Sequence, residues 1–167
     1  MSARGTPAIE LLHRLGIRHS VHEYALPKAS GRTRDRRPSY GLDAVRALGI
    51  PAERVFKTLV ASVDGRLVLA VVPAAAELDL RALAAATGGR RAELADPAAA
   101  ERATGSVVGG ISPLGGRRRL PVVIDDSAFD QPIVNVSAGR RGLEVALAPD
   151  DLAHAAGASR ARIARGR

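Results

Sequence analysis

A lysine within an apolar stripe is the first feature of this sequence that indicates chemistry. The stretch VFKTLVASV, residues 55–63, alternates as a strand does, and Lys57 shares a face with Val55, Leu59, Ala61 and Val63. A buried ammonium group is costly unless it is paired or gives up its proton, so such a lysine usually faces a cavity filled by water or a ligand. Two interpretations stay open: Lys57 lines a pocket, or it lies near a strand end and reaches solvent along its own aliphatic stem.

A glycine-rich segment, TGSVVGGISPLGG at residues 104–116, is the second candidate. Its glycines would let the backbone approach a ligand closely and offer N–H groups to an anion or a carbonyl. Gly110 and Gly115 have the spacing of the glycines in a nucleotide-binding P-loop, but Gly116 and Arg117 stand where that motif requires Lys and Ser or Thr. The segment is therefore either a ligand-binding loop of another kind or a turn-rich connection without function.

The third candidate is VSAGRRGLE, residues 136–144, which carries the hydroxyl of Ser137 and the carboxyl of Glu144. Ser137 lacks the G-x-S-x-G context of a hydrolase nucleophile, and Glu144 judged alone is typical of a solvated residue. The four histidines have no metal-ligand spacing, and the chain has no cysteine. We therefore expect no metal, no disulfide and no histidine-based triad.

The charge of the chain indicates a polyanionic partner. The formal net charge is +8, with basic runs at residues 31–37, 115–119 and 160–167. Only 2% of residues are aromatic, which argues against a nucleic-acid binder that works mainly by stacking bases on rings. Two alternatives stay open: the basic composition reflects a GC-rich genome, and the run at 160–167 is a frayed tail.

These candidates need elements to position them, and the pattern predicts an α+β domain spanning residues 1–167, with about five residues frayed at each end. Helices are predicted at 6–16, 41–49, 78–89, 96–105 and 150–158, with Thr6, Asp79 and Asp150 as N-caps. Strands are predicted at 17–24, 119–126, 132–139 and 143–149, with a hairpin over 55–73 that turns at Asp64–Gly65. Residues 25–39 are predicted to form a loop. Neither a signal peptide nor a bilayer-spanning run is evident, so we expect a cytoplasmic protein.

The order of these segments resembles the YbaK family, which comprises free-standing aminoacyl-tRNA deacylases related to the editing domain inserted in bacterial prolyl-tRNA synthetases. The resemblance runs from about Thr6 to Ala164 through TPAIELL, HEY, VFKTLV, ELDLRALAAATG, ADPAAAERATGSVVGGISPLG, RLPVVID and VSAGRRGLE. Its most specific part is TGSVVGGISPLG. The resemblance implies a curved mixed β-sheet or partly closed barrel with surrounding helices.

The resemblance also implies site residues. The catalytic set matches Lys57, Tyr24, Ser137 and Glu144, and the substrate-binding loop matches Gly109, Gly110, Ile111, Ser112, Pro113 and Gly115. Two departures stand out: Glu144 is one methylene longer than the family's usual Asp, and the segment 25–39 is longer and more basic than its counterpart. Candidate tRNA-binding residues are Arg32, Arg34, Arg36, Arg37, Arg117, Arg118 and Arg119.

The implied activity is removal of cysteine from mischarged Cys-tRNA(Pro), and also from Cys-tRNA(Cys). The substrate's own thiol would attack its ester carbonyl, while Lys57 and the loop stabilise the oxyanion without a metal or cofactor. The implied partners are the aminoacylated tRNA acceptor end and, as a further candidate, prolyl-tRNA synthetase, with no membrane. Two alternatives stay open: an Ala-tRNA(Pro) deacylase that activates water, and a non-catalytic module that binds tRNA or a synthetase.

Overall fold

The computed structural model describes residues 5–26 and 40–166, and within them it places five helices and ten strands. The helices are α1 (Pro7–Arg14), α2 (Tyr40–Leu48), α3 (Leu80–Ala86), α4 (Pro97–Thr104) and α5 (Pro149–Ala156). The strands are β1 (Ser20–Glu23), β2 (Phe56–Val63), β3 (Arg66–Pro73), β4 (Glu77–Leu78), β5 (Ala92–Leu94), β6 (Val122–Asp125), β7 (Val134–Ser137), β8 (Leu143–Leu147), β9 (Ser159–Ala161) and β10 (Ala164–Arg165). No helix in these two ranges combines the length and apolar character needed to cross a bilayer.

The helix starts follow from the residues that precede them. Thr6 accepts a hydrogen bond from the Ile9 N–H at 3.3 Å, and Asp79 accepts one from the Ala82 N–H at 3.0 Å, which confirms both predicted caps. The third predicted cap, Asp150, is wrong, because α5 begins earlier and Asp150 lies inside its first turn. Pro149 occupies the first helical position, where its fixed φ suits the helix and its missing N–H costs nothing.

The predicted hairpin is present, and its turn has the expected backbone. Asp64 and Gly65 have φ values of 50° and 87°, so both central residues are left-handed, as a two-residue hairpin turn requires. β2 and β3 pair in register from Phe56 opposite Pro73 to Val63 opposite Arg66. This hairpin carries Lys57 and forms the centre of the largest sheet.

The α+β prediction is confirmed, but the strands do not form one partly closed barrel. Among the described residues they form a five-stranded mixed sheet in the order β5-β2-β3-β6-β9, a three-stranded antiparallel sheet β1-β8-β7, and the antiparallel pair β10-β4. None of the three closes on itself. Between the described residues, one isolated parallel bridge from Val55 to Asn135 links the five-stranded sheet to the three-stranded sheet. That residues 1–167 form one domain stays a prediction.

The central strands of the five-stranded sheet are covered on both faces, whereas the edge strands β5 and β9 are largely exposed. On β2, Phe56 and Val60 pack into a large apolar cluster together with residues of β7 and β8, α1, α4 and α5. Ala61 and Val63, on the opposite face, pack into a second cluster with residues of α3 and β10. After the exposed Arg66, β3 is continuously apolar from Leu67 to Pro73 for this reason, since both faces of the strand are covered there.

The basic C-terminal run is not a frayed tail, which corrects that alternative. Its residues form β9, parallel to β6, and β10, antiparallel to β4, and Ile163 is fully buried. The carboxylate of Asp125, itself fully buried, accepts hydrogen bonds from the N–H groups of Ile163 and Ala164, both at 2.9 Å. These two bonds attach the C-terminal segment to the end of β6.

Candidate active site

Lys57 lies in a gap between two apolar clusters on one face of β2. Before it, Val55 packs in a small cluster with Ala44 and Ala74. After it, Ala61 belongs to the second core cluster, and Leu59 packs against that cluster. Lys57 itself is half-buried. The predicted apolar stripe is therefore real, and the lysine interrupts it where neither cluster covers the strand completely.

The start of α2 lies close to the stem of this lysine. A Cβ added to Gly41 would lie 2.6 Å from the Cβ of Ala74 and 4.0 Å from that of Lys57, so only glycine fits at this point without a shift. Burial lowers the pKa of Lys57, and the carboxylate of Glu77 on β4 acts in the opposite direction. The lysine is thus a partly desolvated amine that loses its proton more readily than an exposed lysine does.

Glu144 is a buried carboxyl in the central strand of the three-stranded sheet. It pairs across the sheet with His22 of β1 and with Ser137 of β7, and only 5% of it is exposed. Its Oε2 atom has no hydrogen-bond partner within the described parts of the chain. Burial raises the pKa of Glu144 to about 8, so at neutral pH the group is mostly protonated and can donate a hydrogen bond.

Tyr24 lies next to this carboxyl. Its N–H donates to the carbonyl of Gly142 at 2.9 Å, which continues the pairing of β1 with β8 by one residue. Burial, followed by the charge of Glu144 and then that of Asp43 on α2, raises the pKa of Tyr24 to about 12. The phenol therefore keeps its proton and lies within electrostatic range of both carboxyls.

The glycine loop is attached to the three-stranded sheet by Ser137. The Ser137 hydroxyl donates to the Gly110 carbonyl at 2.9 Å and accepts from the Gly139 N–H at 3.3 Å. A Cβ on Gly110 would lie 2.7 Å from the backbone nitrogen of Arg141, and one on Gly115 would lie 2.6 Å from the carbonyl carbon of Pro7. These glycines are thus required by close backbone packing, and the hydroxyl of Ser137 serves to hold the loop.

The predicted substrate-binding residues between these glycines direct their side chains into the protein. Ile111, Ser112 and Pro113 are all buried, and Ile111 belongs to the large core cluster. The Ser112 hydroxyl accepts from the Leu114 N–H at 3.1 Å. What this part of the loop can present to a ligand is therefore its backbone.

Tyr40, the first residue of α2, is a site residue that the sequence did not indicate. A Cβ on Gly109, whose φ is 91°, would overlap the ring of Tyr40. The ring of Tyr40 also contacts the guanidinium of Arg141, whose Cζ lies 4.5 Å from the ring centroid. Arg141 also donates to the Val108 carbonyl from Nε at 2.9 Å and Nη2 at 2.7 Å. The start of α2, the glycine loop and the β7–β8 turn therefore form one packed unit.

Two connections link the elements that carry the predicted catalytic residues. The first is α2, whose Gly41 lies close to the stem of Lys57 and whose Asp43 acts electrostatically on Tyr24. The second is the Val55–Asn135 bridge, after which β2 and β7 continue in the same direction toward Lys57 and Ser137. The elements that carry an amine, a protonated carboxyl and a phenol are thus linked to one another and, through Ser137, to the glycine loop. Groups of these kinds are suited to orienting an ester and stabilising an oxyanion.

Two further predictions concern metal binding and tRNA binding. In residues 5–26 and 40–166 no three His, Asp or Glu side chains are grouped to hold a metal ion. The candidate tRNA-binding residues Arg32, Arg34, Arg36 and Arg37 lie outside the described residues. Arg117–Arg119 are exposed, and the N–H groups of Arg117 and Arg118 each bond at 3.1 Å to carbonyls at the end of α4. They are therefore placed on a fixed backbone with their side chains in solvent.

Comparison with known proteins gives matches over most of the chain. A profile described as "Aminoacyl-tRNA editing domain" matches residues 40–155. Over 106 residues the chain is 40% identical to "Putative Cys-tRNA(Pro)/Cys-tRNA(Cys) deacylase EbsC" of Enterococcus faecalis, covering 62% of this chain and 64% of that protein. Over 79 residues it is 39% identical to "Multifunctional Ser/Thr-tRNA deacylase ProXp-y" of Escherichia coli strain K12, covering 45% of this chain and 47% of that protein. The chain thus spans less than two thirds of the length of either relative.

Solved structures extend the likeness to the whole chain. The crystal structure of "a putative trans-editing enzyme for prolyl tRNA synthetase" has a TM-score of 0.81 at 25% identity, covering 99% of both chains. The crystal structure of a hypothetical protein has a TM-score of 0.82 at 21% identity, covering 95% of this chain and 99% of the other, which is evidence for the fold alone.

Proposed function

The chain belongs to the aminoacyl-tRNA editing domain family, and on that premise we propose that it is an aminoacyl-tRNA deacylase that removes cysteine from Cys-tRNA(Pro). The observation that carries the proposal is Lys57, a half-buried amine in a gap of an apolar face, next to the first turn of α2. In this proposal the terminal adenosine and its aminoacyl ester bind beside Lys57. Cys-tRNA(Cys) would be a second substrate of the same kind.

The residues would act mainly by holding the ester. Lys57 would donate a hydrogen bond to the ribose or to the oxyanion that forms on the ester carbonyl, and backbone N–H groups of the glycine loop would serve the same oxygen. Tyr24 and protonated Glu144 are neutral donors that can position the aminoacyl group. Orientation alone can contribute about 7–11 kcal/mol in favourable intramolecular reactions.

The attacking group in this proposal is the thiol of the substrate. The Ser137 proton is used in the bond to Gly110, and the pKa of Glu144 keeps that carboxyl mostly protonated at pH 7, so neither is poised as a nucleophile or base. The cysteine sulfur would bond to the carbonyl carbon, and the bond from that carbon to the ribose oxygen would break. The thiol proton would pass to the departing hydroxyl, which leaves free tRNA and a four-membered thiolactone.

Deacylation of matched esters tests this mechanism. We expect Cys-tRNA(Pro) to be cleared much faster than Ser-tRNA(Pro), because serine is nearly isosteric but carries a poorer nucleophile. Ala-tRNA(Pro), which has no side-chain nucleophile, should also be slow. Equal rates for the cysteine and serine esters would indicate attack by water and contradict the thiol mechanism.

A second candidate is deacylation of serine or threonine esters, favoured by the 39% identity to the Ser/Thr-tRNA deacylase ProXp-y. It would need a water molecule activated by a protein group, and Lys57, with its lowered pKa, is the group best suited to that role. Faster clearance of Ser-tRNA or Thr-tRNA than of Cys-tRNA(Pro) would select this function. No clearance of any ester in the panel would select a non-catalytic binding module.

A further inference from the structure

An ion pair stands beside the candidate site in a cleft of about 570 Å³, whose lining includes Glu23, Tyr24 and Arg140. Arg140 Nη2 lies 2.8 Å from Glu23 Oε1, and about half of each side chain is exposed. An exposed pair of this kind contributes little to stability, since its Coulomb energy is small in water and both side chains lose freedom. Its removal is therefore tolerable, and its location beside Tyr24 needs another explanation.

The backbone that carries Arg140 is held firmly. Its neighbour Arg141 donates two hydrogen bonds to the Val108 carbonyl and covers the ring of Tyr40. Behind the turn, the backbone of residues 140–141 is in close contact with Gly110. Arg140 thus extends from a fixed turn into the cleft, and the Glu23 carboxylate marks where an anionic oxygen fits against its guanidinium.

We infer that Arg140 binds a backbone phosphate of the single-stranded 3′ end of the substrate RNA, and that Glu23 occupies this anion position in the free protein. The inference rests on the proposed function, because only an RNA substrate whose ester binds near Tyr24 would bring a phosphate to this cleft. Arginine suits this role since its planar fork binds phosphate and carboxylate oxygens alike.

The distances and surroundings fit such an anchor. Arg140 follows Ser137 by three residues, so their Cα atoms are at most about 11 Å apart, within the span of the last nucleotides. Exposed apolar side chains border the same surface: Leu26 lines the cleft, and Val108 is bonded through its carbonyl to Arg141. Apolar surface next to a cation is suited to the sugar and base faces of an unpaired strand.

The two partners of the ion pair should have opposite effects on RNA binding. Arg140→Ser removes a phosphate contact, and we expect affinity to fall about fivefold at low salt and the salt slope to flatten by about 0.7. Glu23→Gln removes the carboxylate that competes with the phosphate for Arg140. The affinity of the protein for the RNA should therefore rise about two- to threefold, because the repulsion between this carboxylate and one phosphate is lost. Arg140→Lys keeps the charge and should retain most of the binding.

The experiment measures binding of an uncharged acceptor-stem hairpin with a single-stranded 3′ end over a salt series. Arg81→Ser is the matched control, because it removes an exposed arginine from α3 with the same change of net charge. A blunt hairpin, which lacks the single strand, should show no difference between Arg140→Ser and Arg81→Ser. Equal affinities of those two variants for the single-stranded hairpin, or weaker binding by Glu23→Gln, would overturn the anchor.

Cleavage separates this inference from the proposed function. With aminoacyl-tRNA, Arg140→Ser should raise KM and leave kcat nearly unchanged, while an aminoacyl-adenosine ester, which has no phosphate, should be cleaved as fast as by the wild type. If the wild type cleaves no ester but Arg140→Ser still binds the RNA more weakly than Arg81→Ser, the deacylase function is refuted and the phosphate anchor is retained. An unchanged KM for Arg140→Ser in an active deacylase would refute the anchor and keep the function.

Discussion

Glu144→Gln should change how the stability of the protein depends on pH. The carboxyl has an ordinary pKa of 4.5 in the unfolded chain and a pKa of about 8 in the folded protein, where burial disfavours its ionised form. Below pH 4.5 the group is protonated in both states. Between the two pKa values only the unfolded chain releases the proton, so the free energy of unfolding falls as pH rises. Glutamine has nearly the same shape and does not titrate, so the variant lacks this fall.

The magnitude follows from the interval between the two pKa values. The loss is about 1.4 kcal/mol for each pH unit, and over the whole interval it sums to about 5 kcal/mol. The free energy of unfolding of Glu144→Gln relative to wild type should therefore rise steadily from pH 5 to pH 8. Any difference in fit between the amide and the protonated acid is an offset that is constant with pH.

Urea denaturation at pH 5, 6, 7 and 8 measures this difference. Glu93→Gln, which removes an exposed carboxylate from β5, controls for the change of net charge. Lys57 is the same in wild type and variant, so its titration cancels in the comparison. A difference between Glu144→Gln and wild type that stays flat across this range would refute the raised pKa and, with it, the assignment of Glu144 as a neutral donor.

Three further perturbations test the site and the fold. Lys57→Ala should abolish deacylation with little change in thermal stability, and turnover near the wild-type rate by the folded variant would remove Lys57 from the mechanism. Gly109→Ala should lower the free energy of unfolding by about 1–3 kcal/mol and remove most of the activity, because the left-handed φ strains alanine and the new Cβ displaces the ring of Tyr40. A melting temperature equal to that of the wild type would contradict this packing. Asp125→Ala should cost about 3–5 kcal/mol and expose the C-terminal segment to limited proteolysis, because two buried N–H groups lose their acceptor; unchanged protease resistance would contradict the attachment.

The local features of the fold were predictable because their causes are local. Thr6 and Asp79 cap their helices through hydrogen bonds to residues three positions ahead, and Asp64–Gly65 forms the hairpin turn from its own backbone preference. The N-cap at Asp150 was predicted wrongly because Pro149 is the first helical residue, which places the N-cap two residues earlier, at Ala148. Asp150 is a favourable N-cap residue and Pro149 is a favourable first helical residue, and in the structure the helix begins at Pro149.

Long-range pairings were not predictable from local pattern. The strands β9 and β10 are short and basic, and they exist because β6 and β4 offer them edges and Asp125 accepts their N–H groups. In the same way, Lys57 could be identified as an interruption of an apolar face, since alternation is visible in the sequence. That Tyr40 would contact Gly109 and Arg141 could not, because three segments far apart in the chain must first come together.

The attachment of the C-terminal segment has a consequence for synthesis on the ribosome. Asp125 is made 38 residues before Ile163, the first of the two residues whose N–H groups it binds. At about 5–20 residues per second, that interval lasts roughly 2–8 s. During this time the carboxylate lacks those two donors, and the edge of β6 that later pairs with β9 is open. Any partly folded chain in which β9 and β10 are not yet in place therefore presents an open edge of β6, to which the strands of other chains can pair.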